Sequence, residues 1–161
     1  MNKQEKKPHV THLEKREIQA PLVASLIRGF AEEFGEEKTH ELAKKIICED
    51  AVQSGKDLAK HYSGNSLADL LKIVEEVWAG DGIMEIRNVE LKQDELRFDV
   101  TRCGYADMYE RVGVKDLGTV LSCCRDFAFM DGFNPDIRLE RTKTIMDGDD
   151  ICNFRYRQNK I

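Results

Sequence analysis

The chain has 161 residues, 41% of them hydrophobic and 34% charged, with a formal net charge of −5. That length and composition fit one globular domain with its own core and exclude a disordered chain. The acidic balance, with no basic stripe, argues against a nucleic-acid partner, and no apolar run is long enough to cross a bilayer. The opening MNKQEKKPHVTHLEKRE has no apolar segment of the secretory kind. It reads as a disordered lead-in over 1–12, ahead of a single domain over 13–161.

In QAPLVASLIRGFAEEFGEEK, Pro21 suits a first helical turn, and Leu22, Leu26, Phe30 and Phe34 recur at helical spacing up to a stop at Gly35. A second amphipathic run passes through Leu42, Ile46 and Ile47 toward Leu58, with Gly55 near its middle. Ser66 with Asp69 makes a capping box for a third helix carrying Leu67, Leu70, Leu71, Val74, Val77 and Trp78. AGDG at 79–82 breaks that period. IMEIRNVEL and LRFDVTRC then read as a hairpin, with Leu96, Phe98 and Val100 on one face and Asp99, Thr101 and Cys103 on the other. Two short helices follow, one with Tyr105, Met108, Tyr109 and Val112, the other with Leu117, Val120, Leu121, Cys124 and Ala128. DIRLERTKTIM, a DGDD turn and ICNFRYRQ read as a second hairpin. The expected fold is α+β: N-terminal helices packed on an antiparallel sheet of about four strands, made of two hairpins with helices between them.

Five cysteines, at 48, 103, 123, 124 and 152, form no C-x-x-C pair and no disulfide framework. Free thiols and a cytoplasmic location are the expectation. Cys124 shares the stripe of Leu117, Leu121 and Ala128 and reads as core filler. Cys123 is turned about 100° away, on a face with Thr119 and Asp126. Cys103 closes a strand and opens a helix, where backbone N–H groups favour a thiolate. Asp107 and Glu110 follow it on the same helical face. Cys152 is in phase with Phe154 and Tyr156, which points to packing. Cys103, Cys123 and Cys152 come from three separate elements and together would suit a soft metal such as zinc, although zinc motifs usually show paired ligands. The sequence itself demands no cofactor. Histidines at 9, 12, 40 and 61 lie in the N-terminal half and read as surface or core residues. Arg125, Arg141 and Arg155 are candidates to clamp a carboxylate. No Gly-rich phosphate loop and no G-x-S-x-G elbow is present.

The segments T-R-C and A-D-M-Y, L-S-C-C-R-D-F, G-F-N-P-D-I, T-K-T-I-M-D-G and C-N-F-R-Y carry a resemblance. Together with EIQAPLVASLIRGFAEEFGEEK, they resemble the L-2-amino-thiazoline-4-carboxylic acid hydrolase family over about residues 13–157. The resemblance implies a hydrolase of cysteine metabolism that opens the ring of an aminothiazoline carboxylate to an N-carbamoyl cysteine. Water would attack the amidine carbon and the ring sulfur would leave. It also implies site residues. Asp126 or Asp107 would serve as base and amidine partner. Arg125 or Arg155 would bind the substrate carboxylate, with Asn134 and Asp136 as further substrate-binding positions. Cys103, Cys123 and Cys152 would act as nucleophile or thiol cluster. The chain departs from the family pattern at Ile151 and Asn153, where His and Asp are usual, at Cys124, usually Asn, and at Gly104, usually Arg. A more distant similarity, in element order and GDDICNF, is to the vinyl-4-reductase-like ligand-binding domain, which implies a small-molecule binder without chemistry. Either way the expected partner is a small molecule, with neither nucleic acid nor membrane. A homo-oligomeric scaffold is the third reading.

Overall fold

The structure, a computed structural model, describes residues 10–159. Of the expected lead-in, residues 1–9 lie outside the described residues. Thr11 and His12 belong to the domain, because Thr11 caps helix α1 (His12–Phe34) through a capping box with Glu14. The Glu14 N–H donates to Thr11 Oγ1 at 3.1 Å and the Thr11 N–H donates to Glu14 Oε2 at 2.7 Å. Pro21 consequently sits inside the helix rather than in its first turn. The chain breaks at Gly35, as expected, and α2 (Glu36–His61) runs on through Gly55 without interruption.

Gly55 is a packing residue. A Cβ there would lie 2.3 Å from the Phe129 carbonyl oxygen, and one at Gly132 would lie 1.9 Å from that of Val52. The pair lets α2 and α5 (Arg125–Phe133) cross backbone to backbone. Helix α3 (Leu67–Ile73) begins at the Ser66–Asp69 capping box and widens into a π turn over Val74–Trp78. A second π turn, Thr119–Cys123, precedes α5. The single helix expected over Leu117–Ala128 is therefore a 3₁₀ turn, a π turn and an α-helix in succession. Helix α4 (Gly104–Arg111) follows the first hairpin.

The strands β1 (Met84–Leu91), β2 (Glu95–Cys103), β3 (Ile137–Glu140) and β4 (Cys152–Gln158) form one antiparallel sheet in the order β1-β2-β4-β3. β3 is shorter than the sequence suggests; the chain over 141–151 is a connection holding a 3₁₀ turn, Ile145–Asp147. Inner-face pairs Leu96–Tyr156, Phe98–Phe154 and Val100–Cys152 join the first core cluster with Leu70 and Ile73 of α3 and Phe129 and Phe133 of α5. Asp99, Arg97 and Arg155 point to the opposite face.

One register shift matters for the site. Met84 pairs with Cys103 but Ile86 pairs with Val100, so Thr101 is an extra residue in β2. The bulge moves Cys103 onto the inner face with Val100, against the alternation expected from the sequence. A second cluster lies between α1 (Ala20, Ala24, Ile27), α4 (Tyr105, Met108, Tyr109) and the 114–123 segment. Met84, Cys103 and Ile145 pack against both clusters.

Candidate active site

Where the two clusters meet, a cavity of about 100 Å³ remains. Its walls come from every layer of the fold: His12 and Arg16 of α1, Ser54 of α2, Trp78 and Ser122–Cys123 of the two π turns, Cys103 and Cys152 of the sheet, Arg125, Asp126 and Phe129 of α5, and Arg141 and Thr144 of the connection. Each π turn places an extra residue in one helical turn and so turns the side chains beyond it onto a new face. In the second one the Cys124 N–H donates to the Thr119 carbonyl, five residues back. Cys123 and Asp126 thereby face the cavity, while Cys124 faces α2, where its thiol donates to the Val120 carbonyl and Cys48 lies beside it. Its expected role as buried filler stands.

Asp126 is the one carboxylate lining the cavity among the described residues. About a quarter of its side chain (26%) is open, whereas only 6% of its partner Arg141 is. Arg141 Nη1 donates to Asp126 Oδ2, and its Nη2 donates to the Cys123 carbonyl at 3.0 Å. The guanidinium lies over the rings of Phe127 and Phe154, 5.1 and 5.0 Å from their centres. Burial raises the carboxyl pKa of Asp126, against the opposing pull of Arg141, Arg125 and Arg16. The same pairing holds the Arg141 pKa up although burial opposes it.

The thiols are protonated at neutral pH. Burial pushes Cys103 up to about 11, outweighing the N–H groups of Ala106 and Tyr105 at the start of α4. Burial and the nearby Asp126 push Cys123 up to about 12. Cys152, which accepts from the Ile145 N–H at 3.2 Å, is raised as well, chiefly by burial. The three thiols do share one cavity. Among the described residues, however, no group of three His, Cys, Asp or Glu side chains is arranged to hold a metal ion, so the soft-metal site expected from Cys103, Cys123 and Cys152 does not form. The thiolate expected at Cys103 is also overturned, because desolvation exceeds the helix-terminus effect.

Other expected site residues lie elsewhere. Arg155 is on the outer face of the sheet, donating to Asp99 at 2.8 Å and to the Phe98 carbonyl at 2.9 Å. Asp107 is exposed on α4, 3.6 Å from Arg102. Asn134 is buried but structural: it donates to the Asn65 carbonyl at 2.9 Å and accepts from the Asp136 N–H at 3.0 Å. Asp136 is exposed and does not line the cavity. Arg125 does reach the wall, but its guanidinium is committed to Asp50 (2.6 Å) and the Ile47 carbonyl (3.2 Å).

Sequence reading missed two residues of α1. Arg16 lines the cavity with no carboxylate in ion-pair distance among the described residues, and burial lowers its pKa. His12, one helical turn earlier, sits 2.7 Å from the Tyr105 hydroxyl. Burial, then Arg16 and Arg125, push its pKa down to about 4, so its imidazole is neutral at pH 7. The T-x-x-E pattern of Thr11–Glu14 was the signal that would have started α1 early enough to put both on one face. Deeper in the core, the Tyr156 hydroxyl is buried without a hydrogen-bond partner among the described residues.

The departures from the family pattern fall outside this cavity. Asn153 accepts from the N–H groups of Thr142 (3.0 Å) and Lys143 (2.7 Å), fixing the connection after β3. Neither it nor Ile151 lines the wall. At Gly104 a Cβ would come within 2.5 Å of the Ile83 carbonyl oxygen.

The profile of the L-2-amino-thiazoline-4-carboxylic acid hydrolase family matches residues 15–156. The chain belongs to that family. No curated protein matches it closely. Among solved structures, it is similar to a trafficking protein particle complex subunit 3 from Naegleria fowleri covalently bound to palmitic acid, with a TM-score of 0.54 and 12% identity over 91% of this chain and 96% of the other. It is also similar to the phenol-responsive sensory domain of the transcription activator PoxR with phenol, with a TM-score of 0.54 and 11% identity over 96% of this chain and 78% of the other. At such identities the likeness is one of fold. Among the described residues no helix is long and apolar enough to cross a membrane.

Proposed function

We propose that the cavity opens the ring of a small cyclic amidine carboxylate of the 2-aminothiazoline-4-carboxylate type by hydrolysis. The observation that carries this reading is Asp126: a carboxylate with a raised pKa, partly open to a cavity whose wall also brings cations, thiols and aromatic rings among aliphatic and hydroxyl side chains. A base works best when its pKa approaches the working pH, and burial moves Asp126 in that direction. Asp126 takes a proton from water as the oxygen bonds to the amidinium carbon. The carbon–sulfur bond then breaks, sulfur leaves with the electron pair, and the hydroxyl proton of the intermediate passes to it, leaving an N-carbamoyl cysteine. Arg16, which has no carboxylate in ion-pair distance among the described residues, binds the substrate carboxylate. Trp78 and Phe129, edge to face at 5.0 Å, wall the ring. A resting thiolate nucleophile plays no part, since Cys103 and Cys123 stay protonated well above neutrality.

A second reading, a binding module without chemistry, is favoured by the aromatic and aliphatic share of the wall and by the phenol-responsive domain among the fold's neighbours. One experiment separates the two. The protein is incubated with 2-amino-thiazoline-4-carboxylate and the mixture followed by mass spectrometry for addition of water. Accumulating N-carbamoyl cysteine supports the hydrolase. Thermal stabilisation by the compound, without turnover, supports the binder.

A further inference from the structure

Five large apolar side chains of α1, Ile18, Leu22, Leu26, Phe30 and Phe34, follow one another at four-residue intervals, with 74%, 68%, 51%, 52% and 63% of their surfaces exposed. Leu42 and Ile46 of α2 join them at 57% and 56%. Leu26, Phe30, Phe34, Leu42 and Ile46 line one groove of about 440 Å³ between the two helices. The core has no use for this face: α1 turns Ala20, Ala24 and Ile27 inward, and α2 turns Ala51 and Gly55.

We propose that this α1–α2 face binds a second copy of the chain across a two-fold axis. The area fits. At roughly 100 Å² apiece, the seven side chains expose on the order of 700 Å² of apolar surface. The largest apolar patch of a typical monomer is about 300–600 Å², whereas a stable interface takes about 800 Å² from each partner. The geometry fits as well. Side chains four apart form the ridge that interdigitates with its like at a crossing of about −50°, the commonest helix packing. An identical ridge is its own complement, as a two-fold contact requires. Charge then selects the direction. The tip of the helical pair carries Glu32, Glu33, Glu36 and Glu37 beside a single cation, Lys38, and two turns further along α2 stand Lys44 and Lys45, none of them in an ion pair among the described residues. An antiparallel pairing lays each acidic tip along the other copy's lysines, and a parallel one stacks like charges.

Sedimentation velocity on the full chain, from about 1 to about 100 µM, tests this directly. The expected species has twice the 18.5 kDa chain mass. Phe30→Glu with Leu42→Glu, both at exposed positions, should raise the dimer dissociation constant at least about 100-fold while circular dichroism is unchanged. If the charged pair fails to fold, Phe30→Ser with Leu42→Ser makes the same test. A wild-type monomer across the whole range overturns the proposal, as does a dimer that persists in the folded variant. Sedimentation of a monomeric wild type with anionic lipid vesicles would likewise overturn it and assign the face to a membrane.

Discussion

Replacing Asp126 by Asn removes the carboxylate from the cavity and leaves a side chain of the same shape, whose carbonyl still accepts from Arg141. Two measurable quantities should move. Loss of a positioned base lowers turnover by about 10²–10⁴-fold, or about 3–5 kcal/mol on the barrier. The second is the pH dependence of stability. Burial lifts the native-state pKa of Asp126 above its ordinary 3.8. Between the two values the native state holds a proton that the unfolded chain has released. The stabilising contribution is therefore whole below 3.8 and is lost as pH rises through the native pKa. In that window wild-type stability falls by up to about 1.4 kcal/mol per pH unit from this group. Arg141 stays charged throughout and adds no slope. Asn cannot titrate, so urea denaturation of both proteins from about pH 4 to 8 should give a wild-type-minus-variant difference that falls as pH rises from the lower end and levels off once the native pKa is passed. A flat difference would show that Asp126 titrates as an ordinary carboxyl, which removes the burial argument. Undiminished turnover in the variant would remove the base assignment, whatever the stability curves show.

Other outcomes follow from the same geometry. Arg16→Gln should raise the KM of a carboxylate substrate about 10–100-fold, the worth of one charge-assisted pair, with kcat much less affected; an unchanged KM in steady-state kinetics would place the substrate carboxylate elsewhere. His12 is held at about 4 against an ordinary 6.5, so the wild type should lose stability as pH falls through that interval and keep it above. His12→Phe, compared by denaturation at pH 7 and pH 4.5, should lack that loss. Gly132→Ala forces a Cβ to within 1.9 Å of a backbone oxygen of α2 and should cost about 3 kcal/mol or more, whereas Gly29→Ala, with nothing within 4 Å, should be neutral or stabilising. Equal melting temperatures for the two alanine variants would contradict the close crossing of α2 and α5.

The neighbourhood of Asp126 shows how sequence and site relate. Helical spacing correctly placed Cys123 beside Asp126 and set Cys124 on another face, although the π turn that produces this arrangement left no mark in the residue pattern. Its wide turn is a matter of one hydrogen bond shifted by a residue, decided by packing on both sides. Cys103 failed for a related reason: one bulged residue, Thr101, reverses the strand's alternation. Arg155 failed because alternation held. It shares its face with Asp99 and Arg97, away from the cavity, as the period of two requires.

Local rules written in neighbouring residues were legible from the chain alone: the capping box at Ser66, the stop at Gly35, and the hairpin of β1 and β2. They were legible because each depends on interactions within a few residues. Packing settled the rest. Whether Gly55 ends a helix or admits a second one, and whether Leu22, Leu26 and Phe30 are core or surface, depends on what another segment brings against them. So does the protonation of a thiol or a carboxyl, because the cost of removing a charge from water is set by atoms far away in the chain.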